Sequence, residues 1–298
     1  MANREKQDMT AELAEGKILP LVFKLTIPAV IAQLITFLYN IVDRMYVARI
    51  EGSGMDALAA LGIVLPITLI MQAFANLVGL GGAPRAGIKL GEGKADEANR
   101  IFHTAFCLLV LLGVVIGAAA FCFARQIVLL FGCPESAVEF AVSYLKIYAC
   151  GTIFVMLAQG LNPFILTQGY SWLAMSSVLL GALINIALDP LLIFTFEMGT
   201  AGAAIATVAS QCVSLMILSI SFLRGRSIVH LHPKYVSRHA RDYGQIIAVG
   251  FPTIARQGMA SLASALMNIQ GAIYGDAAVA ALTISNKIYL LVRNVMIG

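Results

Sequence analysis

The chain has 298 residues, 59% of them hydrophobic and 12% charged, with a net charge of +4 and a mean hydropathy of +0.86. A soluble domain is about 45–50% apolar and about 25% charged, and has too little interior to hide more apolar surface than that. A soluble fold is therefore excluded, and the small positive charge lies beside apolar runs, which gives no support for nucleic-acid binding. A polytopic membrane protein remains.

Residues 1–24, "MANREKQDMTAELAEGKILPLVFK", are charged and amphipathic, with no short apolar core ahead of a small-residue cleavage site. They predict a cytoplasmic lead, not a signal peptide. Eight apolar segments follow, at 25–47, 57–80, 101–123, 136–160, 165–196, 200–223, 245–272 and 278–298. A crossing of about 30 Å of hydrocarbon needs about 20 such residues. Runs such as "FCLLVLLGVVIGAAAFCF" show no period-two alternation, and backbone groups in lipid must be satisfied within the segment. All eight are predicted as helices, giving an all-α membrane bundle.

Thirteen of the twenty Lys and Arg fall in the lead, in the loop "GGAPRAGIKLGEGKADEANR" and in the loop after the sixth span. Basic loops stay cytoplasmic, so the N-terminus is expected in the cytoplasm of a multi-pass cell inner membrane protein. Pro28 and Gln33, followed by "DALAALGI", reappear as Pro252 and Gln257, followed by "DAAVAALTI". The seventh span thus restarts the pattern of the first, with six spans per repeat in one orientation. The expected organisation is a lead at 1–24, a six-helix lobe at 25–223 and a basic cytoplasmic loop at 224–244. A second lobe begins at 245–298 with two helices, and a chain truncated at its C-terminal side is expected.

Polar residues recur at helical spacing inside the spans. The first carries Gln33, Thr36, Asn40 and Asp43; the second Thr68, Gln72 and Asn76; the fifth Ser177, Gly181, Asn185 and Asp189; the sixth Thr207 and Ser214; the seventh Thr253, Gln257, Ser261, Ser264 and Asn268. Steps of three and four place each set on one helical face. Interhelical hydrogen bonds of about 0.6–2 kcal/mol explain any one set. Five sets, two ending in a carboxylate, are better explained together by a shared water-accessible cavity, lined by Gln33, Thr36, Asn40, Gln72, Asn76, Gln257, Ser261 and Asn268.

Asp43 and Asp189 are the sharp cases. An ionised carboxylate near mid-membrane costs about 2.5–3.5 kcal/mol, and neither has a Lys or Arg three or four residues away. Two readings stay open. Each acid pairs with a basic residue of another helix, for which Arg256, Lys146 and Lys287 are the candidates, or it takes up a proton or a metal cation. Asn185 lies one turn before Asp189 on the same face. Pro190 removes the amide that would bond the Ile186 carbonyl and disfavours helical geometry at Asp189, which makes it either a hinge or a static kink. The five cysteines form no CxxC pair and are expected to be buried small hydrophobes, with no disulfide or metal framework.

In this order, "YNIVDRMYVARI", "DALAALGI", "GIKLGEGKADEA", "LINIALDPLLIF" and "AGAAIATVASQ" resemble the multidrug and toxic compound extrusion family of efflux transporters, over residues 20–298. "GFPTIARQGMASL" and "YGDAAVAALTIS" look most like its bacterial drug-exporter branch. The resemblance implies twelve helices in two lobes around a central cavity, no enzymatic activity and no cofactor. It also implies export of small organic cations against inward H⁺ or Na⁺ by a monomer in membrane lipid. The family's first-lobe cation site falls here on Asp43, Asn185, Asp189 and Thr207, the set that would hold Na⁺. A further family Asn matches Asn162, with different local spacing. Arg44 stands where a small polar residue is usual, and "NPFILTQGY" lacks the basic residue common in that loop.

Two other functions were weighed. A lipid-linked precursor flippase would call for a strongly cationic cavity, and basic residues within the spans are few. A membrane transferase acting on lipid pyrophosphates needs clustered acids to hold Mg²⁺, and no DDxxD-like cluster exists.

Overall fold

A computed structural model describes residues 18–50, 54–223 and 239–273. Among them there is no strand. The helices are α1 (Ile18–Val47), α2 (Gly54–Gly91), α3 (Ala95–Cys122), a short α4 (Ala124–Leu130), α5 (Val138–Thr167), α6 (Ser171–Pro190), α7 (Gly199–Leu223) and α8 (Ala240–Ile273). A 3₁₀ turn, Glu135–Ala137, leads into α5, and a π turn, Leu191–Thr195, follows α6.

Among the described residues six helices are long and apolar enough to cross a membrane: α1, α2, α3, α5, α6 with its π turn, and α7. The chain is a multi-pass membrane protein. Their outer faces are apolar: Leu111, Val114, Leu183 and Met216 are all more than half exposed, which is stable only against lipid. The seventh expected span forms α8, interrupted by Arg256 and less apolar than the other six. The eighth, at 278–298, lies outside the described residues.

The bundle is organised around α5. Of its apolar window 61% is buried, against 33% or less for the other five spans. It contacts α2, α3 and α7 because it is apolar on every side, the composition of a helix enclosed by others. Small residues bring the axes close. A Cβ on Gly79 of α2 would lie 2.8 Å from the Gly160 carbonyl oxygen of α5, so only glycine fits that crossing. α1 is the opposite case, with 6% of its window buried and α6 as its main partner.

Several boundaries correct the sequence expectations. The run "GGAPRAGIKLG" was expected as loop, yet α2 continues through it to Gly91, and the turn is only 92–94. Its glycines are packing surfaces: a Cβ on Gly82 would come 2.7 Å from Phe164 Cζ. The break expected between 160 and 165 is also absent, because Pro163 sits inside α5 and the turn comes at 168–170. At Asp189 the helix continues, as the single span expected over 165–196 requires. α6 runs through Pro190, and the mismatch of its missing amide is taken up in the following π turn. All five cysteines are free, and the expectation that they are buried holds for Cys133 alone, while Cys122 and Cys150 are exposed.

α8 docks on α2 and α3. A Cβ on Gly81 would collide with the Ile246 carbonyl oxygen and lie 3.1 Å from Gly250 Cα. We predict that Gly81→Val lowers the thermal midpoint of the detergent-purified protein, by an overpacking cost of about 1–3 kcal/mol. Gly62→Ala, where an added Cβ meets nothing within 4 Å, should leave it unchanged or raise it slightly.

Candidate functional site

The contact of α1 with α6 brings together two acids that stand alone in the sequence. The Asp43 and Asp189 carboxyls lie within hydrogen-bonding reach of each other. Asp189 is 0% exposed and Asn185 1%. Asn185, one turn back on α6, donates its Nδ2 to Asp189 Oδ1 at 3.5 Å. Three buried atoms are left without a hydrogen-bond partner: Asp43 Oδ1, Asp189 Oδ2 and Asn185 Oδ1.

All three orphans are acceptors, and each buried, unmet acceptor costs about 1–3 kcal/mol, more if charged. The deficit therefore has one sign. A proton or a small cation would meet it, and another carboxylate would not.

Basic partners do not fill the role. Lys146 sits over the Phe121 ring, 5.9 Å from its centroid, and Arg256 is exposed on α8. Ion pairs among the described residues join Lys89, Lys94, Arg100 and Arg125 to Glu92, Glu97, Asp242 and Glu139. None of these involves Asp43 or Asp189. Arg44 is exposed and acts on Asp43 only as a neighbouring charge. Lys287 lies outside the described residues.

Thr207 joins the site indirectly. Its Oγ1 donates to the Ala203 carbonyl at 3.0 Å, and its side chain is within hydrogen-bonding reach of Tyr144. Asn162 is placed elsewhere, donating to the Ala174 carbonyl at 3.2 Å and to Ser177 Oγ at 3.3 Å. The cause is geometric. α5 runs antiparallel into α6, so the end of α5 meets the start of α6, while Asp189 lies about 18 Å further along. The same reasoning brings the start of α5 level with Asp189.

Tyr144 and Tyr148 occupy that level and escaped the sequence analysis. Tyr144 interacts electrostatically with Asp43, and Tyr39 with both acids. The Tyr144 and Tyr148 rings stack at 6.3 Å between centroids, and Gln72 Nε2 donates to the Tyr148 hydroxyl at 3.1 Å. A signal was present: Tyr39 precedes Asp43 by four residues, and Tyr144 precedes Tyr148 by four.

The other stripe residues divide. Thr36 and Asn40 are half-buried and donate to carbonyls of their own helix, at 2.8 and 2.6 Å. Asn76 and Gln257 are half-buried, whereas Gln33 is exposed on the loosely enclosed α1. The side chains of Ser261 and Asn268 lie outside the described set. Among the described residues no cluster of three or more His, Cys, Asp or Glu could hold a metal. Two carboxyls with neutral oxygens suit a proton or a singly charged ion better than Mg²⁺ or Ca²⁺, which require more oxygen ligands.

A bundle of membrane-crossing helices with a carboxyl pair between two of them defines a polytopic membrane protein. The MatE family profile matches residues 28–191, more than half of the chain. The chain belongs to the MatE family. It is 27% identical over 275 residues to the multidrug export protein MepA of Staphylococcus saprophyticus, covering 92% of this chain and 60% of that protein. The MepA of Staphylococcus haemolyticus is 25% identical over 293 residues, 98% of this chain and 64% of that one. A solved MOP superfamily transporter from Pyrococcus furiosus superposes with a TM-score of 0.88 at 25% identity, over 96% of this chain and 63% of that one. The chain thus spans about 60% of the length of the curated relatives it matches.

Tyr148→Phe deletes the hydroxyl that accepts from Gln72. It should cost about 0.5–1.5 kcal/mol, seen as a fall in the thermal midpoint of the purified protein, and Gln72→Leu/Tyr148→Phe should recover part of that loss.

Proposed function

We propose that this chain belongs to a secondary active antiporter that exports organic cations from the cytoplasm in exchange for inward H⁺ or Na⁺. The observation that carries the reading is the deficit at the acids: two facing carboxyls and an amide oxygen, with three buried, unmet acceptor atoms and no basic partner among the described residues. The names of the relatives, multidrug export proteins, support drugs as the exported class.

In this mechanism Asp43, Asn185 and Asp189 form the ion site, with Thr207 held beside it through Tyr144. With the bundle open outward, the carboxyls load a proton or Na⁺. The loss of negative charge weakens the hold on a bound cationic drug and draws α1 and α6 together. The helices of 25–223 form one lobe, α8 begins a second, and the two rock to the inward-open state. There the ion leaves and the restored charge attracts the next substrate. A ligand shifts such an equilibrium only by its different affinity for the two states, and carboxyls neutralised in one of them provide that difference. Pro190 with its π turn is the place where α6 changes shape, because the regular helical hydrogen-bond pattern already gives way there. The stripe residues Gln72, Asn76 and Gln257 line the path between the lobes. The membrane is the cell inner membrane, with the N-terminus in the cytoplasm.

The test is ethidium accumulation in cells lacking other pumps. The full-length protein should lower accumulation, and Asp189→Asn should restore it to at least 90% of the empty-vector level at equal expression; retained efflux would overturn the role of Asp189. Collapsing the Na⁺ and proton gradients separately should abolish efflux in one case only, which names the coupling ion. Efflux that survives the collapse of both gradients would refute antiport.

A further inference from the structure

The end of the bundle away from the acids carries a second polar assembly. α2 ends, α3 begins and α8 begins there, and a cleft of about 400 Å³ opens between them, lined in part by Arg85, Lys89, Arg100, Thr104, Asp242 and Gln245. Two links join α8 to the other helices. Arg100 Nη2 of α3 pairs with Asp242 Oδ2 at 3.0 Å, and Arg85 of α2 donates to Gln245 Oε1. About one turn deeper, α2 and α8 meet backbone to backbone at Gly81 and Gly250.

This geometry has two parts with different strengths. The glycine crossing is close-packed, backbone against backbone, with Leu77 and Ile246 buried beside it. The links beyond it are partly exposed, with the Arg100 and Asp242 side chains 46% and 31% accessible. A pair so placed biases an equilibrium by up to about fivefold, and no more. That strength can select one arrangement and still release it.

We propose that Arg100–Asp242 and Arg85–Gln245 form a latch that holds α8 against α2 and α3 at the cleft end and parts when the bundle opens there. The inference rests on the two-lobe, alternating-access reading above, in which α8 belongs to the moving second lobe. Lys89 adds no link to α8, because its partners are Glu92 and Glu97. The latch therefore rests on an ion pair whose charges can be exchanged or removed, and on a hydrogen bond from Arg85 to the neutral Gln245 amide.

The test uses the full-length protein purified in detergent, with native cysteines replaced and a cysteine placed at Thr104. Thr104 lines the cleft yet is 0% exposed, so its reaction with a polar maleimide reports opening at this end. Arg100→Asp and Asp242→Arg should each raise the labelling rate about two- to fivefold, and the combined exchange should return it to the parent rate. Asp242→Asn, which introduces no repulsion, should give a smaller rise and serves where a charge reversal does not yield monodisperse protein. Unchanged labelling in the single variants, or an exchange variant labelled as fast as the singles, would overturn the latch. The readout does not require transport. Efflux retained in Asp189→Asn would remove the coupling role and leave the latch result standing, and a negative labelling result would leave the coupling role intact.

Discussion

Two facing carboxyls, Asp189 buried and Asp43 half-buried, with no basic partner among the described residues, form an arrangement a membrane bundle cannot leave uncompensated. Asp43 and Asp189 meet at the seam of α1 and α6 with oxygen atoms to spare. Hydrocarbon offers no water to meet them, so whatever neutralises the pair becomes part of the protein's energetics. Asn185 donates to one oxygen and adds an unmet acceptor of its own. Every unmet atom at the site is an acceptor.

The surrounding bundle holds this pair in register. α5 is the enclosed centre, and its first turns present Tyr144 and Tyr148 at the level of the acids. Its last turns tie Asn162 to the start of α6. The antiparallel run of α5 into α6 thus separates two polar clusters that share helices. The bundle is polar at opposite ends for different reasons: acids deep among apolar helices at one, partly exposed ion pairs around a cleft at the other.

Much of the fold was legible because lipid imposes a simple code. Long apolar runs without alternation must be helices, and six of the expected spans have the length and apolarity to cross a membrane. The boundaries failed where glycine was taken as punctuation. In "GGAPRAG" the glycines admit neighbouring helices and do not turn the chain, a distinction that depends on what stands opposite. The stripes on α1 and α6 were legible from spacing, and the meeting of Asp43 with Asp189 was not, since nothing in one strand of text says which faces adjoin. Asn162 was grouped with the acids on family likeness, and the chain direction of α5 places it elsewhere. Tyr39, Tyr144 and Tyr148 were overlooked because aromatic side chains in an apolar helix look like core. Their hydroxyls matter only beside a charge.

α1 touches the remainder mainly along α6 and is the least enclosed of the crossing helices. One of the two acids thus sits on the least enclosed of the described crossing helices, and its mate on a helix that packs against both α1 and α7. In the proposed cycle a change of charge at the pair is felt first along the α1–α6 seam, with the enclosed α5 set apart from it.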